Sequence, residues 1–349
     1  MSVCRFGHGG PARPAGLVAS MALALVLGSG EPASSQIIEA TGSRALGMGG
    51  AFVAVANDAS ATWWNPAGLA DGPFLDMSLA RSVTESGGRF SARRDSVSSF
   101  VIGTPPFGLS YYRLRLTEIR GSDPTAGAGG DREEEGVPLR SLSARQVGVT
   151  VVRTLTPGVH AGTTVKYLRG RFRSGVGESQ LPPSDLLDRG DALQGGDSDH
   201  AFDLDIGVLA VGGPIRGGVL IRHLLEPEFR APDGVPVARL PRQVRLGVAF
   251  DGSQADTIPL TVSLDVDLRR YAAAIGDRRV IALGAEQRLF GRRLSLRGGG
   301  RLNTVGRQDR AATGGFSVAV RSGLYLDAHV VRGGTAEDQG WGMAARVSF

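Results

Sequence analysis

Residues 260–269 read LTVSLDVDLR, and the fold turns on that alternation. Leu260, Val262, Leu264, Val266 and Leu268 interleave with Thr261, Ser263, Asp265, Asp267 and Arg269. A period of two places one set on each face of a β-strand. The same reading fits Val244, Leu246, Val248 and Phe250 against Gln243, Arg245, Gly247 and Ala249. It fits the terminus too, where Trp341, Met343, Ala345, Val347 and Phe349 alternate with Gly342, Ala344, Arg346 and Ser348. No comparable helical period follows residue 74.

Carried along the chain, this reading predicts fourteen strands, near 74–83, 97–103, 107–118, 141–155, 158–172, 200–212, 215–225, 242–251, 258–270, 278–290, 293–303, 311–321, 323–332 and 338–349. Soluble strands average about five or six residues, whereas a tilted strand needs about nine to eleven to cross a bilayer. The connections are expected to be one-sided. Long polar ones fall at 84–96, 119–140, 173–199 and 226–241, and short ones at 104–106, 156–157, 213–214, 291–292 and 322–323, with 251–257 an imperfect member of the short set. Long loops at one end, tight turns at the other and an even strand number describe an outer-membrane barrel. Closure removes the unpaired edges that lipid cannot satisfy. The expected fold is therefore all-β: a transmembrane antiparallel β-barrel of about 14 strands, over 74–349.

The first 35 residues have a different character. Arg5 and Arg13 precede the 13-residue apolar run Ala15–Leu27, and small residues Ala33-Ser34-Ser35 follow. A helical membrane span needs about 20 apolar residues, so 1–35 reads as a cleaved signal peptide. Cys4, the only cysteine, lies inside it, which excludes a disulfide framework from the remainder. The formal net charge is +5, carried almost wholly by scattered arginines, Lys166 being the only lysine. Without a basic helix or an aromatic RNA-binding signature, no nucleic-acid partner is expected.

Between signal and barrel lies 36–73, rich in small residues and not strand-like. Its Gly47-Met48-Gly49-Gly50 run lacks the strand before it and the Gly-Lys-Ser/Thr of a phosphate loop. Asn65-Pro66 suits a helix start, with asparagine as cap and proline in the first turn. About eight strands already enclose a lumen that side chains can fill, so one of fourteen has room for such a segment.

The residues of this segment carry a resemblance. Gly42-Ser-Arg-Ala-Leu-Gly-Met-Gly-Gly-Ala-Phe, then Asn57-Asp58-Ala-Ser60, then Trp64-Asn65-Pro66-Ala67-Gly68-Leu69, resemble the N-terminal signature of FadL-type fatty-acid transporters and the related PorV-type barrel proteins. The match spans about residues 42–70; the terminal Phe349 is similar to the family's assembly signal. The resemblance implies a fourteen-stranded barrel with an internal N-terminal hatch. The chain departs from the FadL type in its long connections, which are polar (121–136 reads GSDPTAGAGGDREEEG) rather than hydrophobic.

On this reading Arg44, Gly47, Gly49, Gly50, Asn57, Asp58, Asn65, Pro66 and Gly68 are the hatch residues. Arg245, Asp265, Asp267, Glu286, Arg297 and Arg301 are the expected lumen-wall partners. The expected function is transport of small hydrophobic molecules, fatty-acid-like or hydrocarbon, across the outer membrane; the alternative is a PorV-like shuttle for secreted protein cargo. Expected partners are outer-membrane lipid, the barrel assembly machinery and a hydrophobic ligand or a protein cargo. Neither enzyme nor cofactor is expected. No G-x-S-x-G is present, and histidines 160, 200, 223 and 329 follow no catalytic spacing. Asp203/Asp205 and Asp265/Asp267 share strand faces without the spacing of a calcium loop, so no metal is expected. The aromatics Trp63, Trp64, Trp341, Tyr111, Tyr112 and Tyr271 are expected mainly at membrane interfaces, and Glu133-Glu134-Glu135 at a solvated loop tip.

Overall fold

In the computed structural model the described residues are 41–88, 91–120, 136–196, 198–229, 238–255, 258–271, 277–291, 293–306, 309–334 and 339–349. The expected signal peptide 1–35, residues 36–40 of the expected hatch and the acidic loop 121–135 lie outside them.

Fourteen strands close into one antiparallel barrel. They are β1 (Asp76–Gly88), β2 (Ser91–Thr104), β3 (Phe107–Arg120), β4 (Val137–Thr156), β5 (Val159–Gly177), β6 (Ser198–Gly212), β7 (Ile215–Arg222), β10 (Gln243–Asp251), β11 (Leu260–Asp267), β12 (Val280–Leu289), β13 (Leu294–Asn303), β14 (Arg310–Arg321), β15 (Leu324–Gly333) and β16 (Gln339–Ser348). Closure runs through β1, which pairs with β2 on one side and β16 on the other, Asp76 opposing Gly103 and Ser348. Every expected strand has its counterpart.

Period two decides what faces where. Along β10 and β11 the exposed set is Leu246, Val248, Phe250, Val262 and Leu264, while Arg245, Asp265 and Asp267 are buried. Apolar side chains outside and charged ones inside invert a soluble core, and only an apolar surrounding makes that arrangement favourable. No helix among the described residues is long and apolar enough to cross a membrane.

The long-loop end differs from expectation. The 84–96 connection is not a loop, because β1 continues to Gly88 and β2 begins at Ser91. There the outward side chains become charged, and ion pairs such as Arg94–Glu85 at 2.7 Å replace apolar alternation while backbone pairing continues. β4 and β5 likewise extend to 20 and 19 residues, well beyond a bilayer crossing. The 173–199 connection carries helix α3 (Pro183–Ala192), whose Leu186 and Leu187 pack with Ile119 and Leu139 on the outer face of β3 and β4. The 226–241 connection carries β8 (Glu228–Phe229) and β9 (Ala238–Arg239), which pair only with each other. Phe229 and Leu240 turn inward against Leu116, Leu142 and Leu168.

Phe349 follows β16, exchanging backbone hydrogen bonds with Leu75 at 2.8 and 3.1 Å while its ring stays exposed. The interface expectation fails for four of the six aromatics. Trp63, Trp64 and Tyr112 belong to the internal apolar cluster, because the segment preceding the barrel and the inward face of β3 need large side chains to fill space between them. Tyr271 is also buried, its hydroxyl accepting from the Val244 amide at 2.8 Å. Tyr111 and Trp341 remain on the exposed outer face.

Candidate functional site

Residues 41–72 form short turns, α1 (Ser43–Gly47), α2 (Ala61–Trp64) and a 3-10 turn over Pro66–Asp71. Small residues let this chain lie close to the inward face of the wall. Gly49 takes φ +71°, and a Cβ there would come 2.8 Å from the Gly300 backbone. Gly68 is tighter, with a Cβ falling 1.8 Å from the Ala56 carbonyl oxygen. Gly47 lies over Gly315 and its carbonyl accepts from Thr313 at 3.0 Å. Gly50 lies beside the Trp64 ring at φ +84°.

Arg44 is the polar centre. Its Nε donates to Glu286 Oε1 at 3.0 Å and Nη2 to Oε2 at 2.7 Å, while Nη1 reaches Asn57 Oδ1 at 2.7 Å and Asp58 Oδ2 at 3.1 Å. The guanidinium also lies 5.1 Å from the Phe52 ring centre. Glu286 further accepts from Arg297 at 2.7 Å and Arg288 at 3.3 Å. Arg297 continues to Asp327 at 3.8 Å; Arg346 then joins Asp327 and Asp76, each at 3.3 Å. Asp76 Oδ1 returns to the segment, accepting from the Ala59 amide at 2.9 Å. Four arginines thus meet four carboxylates in one chain from Asp58 to Asp76. Burial alone would lower the Arg44 pKa, but Glu286 and Asp58 hold it above the usual range. Burial would raise Asp58, yet Arg44 and Arg346 hold it below.

Asp265 acts through the backbone, its Oδ2 accepting from the Phe52 and Val53 amides at 2.8 and 2.9 Å. Asn65 does three things. Its Nδ2 donates to the Val53 and Val208 carbonyls at 2.8 and 3.1 Å, and its Oδ1 accepts from Ala67 N at 3.2 Å, capping the turn that Pro66 begins. The other wall residues are placed differently. Arg245 pairs with Asp267 at 2.7 Å and lies 5.9 Å from the Trp64 ring centre. Asp267 then accepts from Val280 N. Arg301 lines a cavity of about 130 Å³ at the long-loop end with Glu85, Arg93, Asp95, Asp277 and Arg278.

Sequence reasoning missed several anchors. Arg222 donates to Trp63 O at 2.7 Å and stacks 4.6 Å from the Trp63 ring centre. Arg216 reaches Ala54 O at 2.9 Å and Asp71 at 2.6 Å. Tyr112 bonds Thr62 at 3.0 Å. Their signal was inward parity on β3 and β7, legible once the wall's phase is known.

The inner wall is two-sided. Over β2–β4 it presents Val97, Val101, Tyr112, Leu114 and Ala144 to the segment's Leu46, Met48, Phe52 and Trp64. Over β10–β16 it presents the ionic chain. A second buried cluster joins Lys166 to Asp203 and Asp205 at 2.7 and 2.6 Å, with His223 2.6 Å from Asp203. Asp203, Asp205 and His223 could together ligate a metal. The Lys166 ammonium, however, stands between both carboxylates and supplies the cation. Burial and that ammonium push His223 below its ordinary pKa.

The sequence matches no protein-family profile and no curated protein. Its fold is similar to solved barrels. The crystal structure of the Ralstonia pickettii toluene transporter TbuX has 16% identity and a TM-score of 0.61, covering 89% of this chain and 99% of that one. The CymD monoaromatic hydrocarbon channel has 14% identity and a TM-score of 0.59, covering 90% and 99%. A Pseudomonas aeruginosa FadL homologue has 11% identity and a TM-score of 0.59, covering 90% and 99%. At such identities the likeness is one of fold.

Proposed function

We propose that this protein is an outer-membrane barrel that passes small hydrophobic molecules around an internal hatch, residues 36–73. The observation that carries this reading is the two-sided lumen. An apolar strip over β2–β4 runs up to the Leu116–Leu142–Leu168 cluster beneath Phe229, while the hatch's Arg44 is fastened to the ionic wall at β12. A hydrophobic solute gains about 25 cal/mol per Å² of apolar surface it removes from water, so it partitions to the apolar side. Movement of the hatch away from that side opens the path. The names of the structural neighbours agree in kind, being toluene transporters and a monoaromatic hydrocarbon channel. The leader 1–35, the assembly role of Phe349 and contact with outer-membrane lipid and the barrel assembly machinery belong to the same proposal.

Native mass spectrometry of gently extracted protein tests it. The expected result is a retained lipid-like or hydrocarbon molecule. A stoichiometric polypeptide cargo with no small molecule would overturn the reading in favour of a secretion shuttle.

A further inference from the structure

The outer face of β3, β4 and β5 carries six arginines in adjacent rows. Arg113 opposes Arg145, and Arg145 opposes Arg169, so three guanidiniums project side by side from neighbouring strands. Arg115 and Arg171 flank Ser143 in the next outward row, and Arg173 follows above. Directly opposed residues hold their Cβ atoms about 4.5–5.5 Å apart, and like charges so placed destabilise a sheet. Over the outward positions of Tyr111–Ile119, Val137–Val147 and Val165–Gly177 there is no Asp or Glu to offset them. Hydrogen bonds of Arg169 and Arg173 go to the neutral oxygens of Ser198, Gly195 and Ser143. Among the described residues one acid reaches the patch: Asp191 of α3 stands 3.9 Å from Arg115, and it is already engaged by Arg94 and Thr117.

The patch has a floor and a ceiling. The row next to it toward the short-turn end is Tyr111, Val147, Tyr167 and Phe202, all exposed. Aromatic rows of this kind mark a membrane–water interface. On the other side α3 packs over the outer face at Thr117, Ile119 and Leu139. The arginine rows lie between them, exposed at Arg113, Arg145 and Arg169 and level with the head groups above the aromatic row. Guanidiniums match phosphate oxygens with paired hydrogen bonds, and a basic patch at that height binds anionic head groups.

We infer that Arg113, Arg145 and Arg169, with Arg115, Arg171 and Arg173 above them, form a docking site for the phosphates of an outer-leaflet glycolipid. This rests on the outer-membrane reading, which places the long-loop end outside. The lipid's acyl chains lie along the aromatic row and its phosphates offset the opposed cations. The site therefore fixes the depth and rotation of the barrel in the outer leaflet, separately from the lumen and its cargo.

The test uses full-length protein in detergent and the R113Q/R145Q/R169Q variant, both checked for heat-modifiable barrel mobility. All three side chains point away from the lumen, so the hatch contacts are untouched. Probes are bisphosphorylated lipid A, its dephosphorylated counterpart and inorganic phosphate. Lipid A should bind the native protein roughly a hundredfold tighter than the variant, at about fivefold per arginine near the surface. The dephosphorylated lipid should not discriminate between them, and inorganic phosphate at equal concentration should not compete. Single-site R145Q, which removes the middle cation only, should lose about fivefold. Equal lipid A affinity in native and variant protein would overturn the proposal, as would full competition by phosphate. A third variant, with Glu133, Glu134 and Glu135 changed to Gln, should bind as the native protein does. If it alone binds strongly, the chain's own acidic loop occupies the patch and the inference fails. Since binding is measured on purified protein and location by fractionation, the two readings fail separately.

Discussion

Arg44 and Glu286 are 242 positions apart, and they meet in a two-pronged ion pair with its shorter arm at 2.7 Å. Glu286 is buried and Arg44 nearly so, and Glu286 also serves Arg297 and Arg288. The pair joins the first turn of the inner segment to β12 on the far wall. Removing one partner of a buried pair costs about 3–5 kcal/mol when the other charge is left uncompensated; Arg44 keeps Asp58, so the loss at Glu286 falls below that range.

Glu286→Gln should therefore loosen the Arg44 turn and its Asn57–Asp58 contact while Asp265 and Arg216 still hold Phe52–Ala54 and the barrel stays closed. Hydrogen exchange should become faster at the Leu46, Val55 and Ala56 amides, with strand amides unchanged. Trypsin should gain access to the bond after Arg44. Unchanged protection of the segment would remove this pair from the account of how it is held.

Asn65→Ala removes two donated bonds and one accepted bond, taking this side chain's partners from the Val53 and Val208 carbonyls and the Ala67 amide. An unsatisfied buried polar group costs about 1–3 kcal/mol, so this change should loosen the Pro66–Asp71 turn without dismantling the ionic chain. Gly68→Ala should be worse, because its methyl would overlap the Ala56 carbonyl oxygen. Hydrogen exchange at Gly68 and Gly72 would rank the two; a milder Gly68 variant would contradict the packing argument.

His223 gives a pH dependence with a defined sign. Its folded pKa lies below the ordinary value of 6.5, through burial and Lys166, so the folded form favours the neutral ring. The stability it contributes is full above about pH 6.5 and declines as pH falls through the depressed value. Protection of the 223–229 backbone should fall between neutral and acid pH in native protein, and stay flat over that window in His223→Gln. A pH profile that survives the substitution would assign the effect elsewhere.

The strands were legible because lipid outside and a polar lumen inside force alternation onto every crossing, as in Leu260–Asp267. Their outer ends were not legible. Beyond the bilayer both faces are polar, so Arg94, Arg113, Arg145 and Arg169 interrupt the pattern while backbone pairing goes on. Helix α3 was hidden for a related reason, since only Leu186, Leu187 and Gly190 of its ten residues are buried. In the lumen, Arg44, Asn57, Asp58, Asn65 and Glu286 stood out as polar residues among small or apolar neighbours. Which acid meets which arginine depends on register around the barrel, and one strand holds no information about that. Arg222 and Arg346 sit near strand ends, where parity alone does not distinguish an anchor from a solvated charge.

The most direct measurement is planar-bilayer conductance of the barrel lacking residues 42–66, compared with the intact chain. The segment's apolar side chains pack on β2–β4 and its charges on β12 and β7, so its removal vacates the lumen while the closed ladder from β1 to β16 remains. The account predicts steady, stepwise ion currents through the truncated, heat-modifiable barrel and little or none through the intact one. Equal conductance from the two assembled proteins would contradict the claim that this segment closes the path.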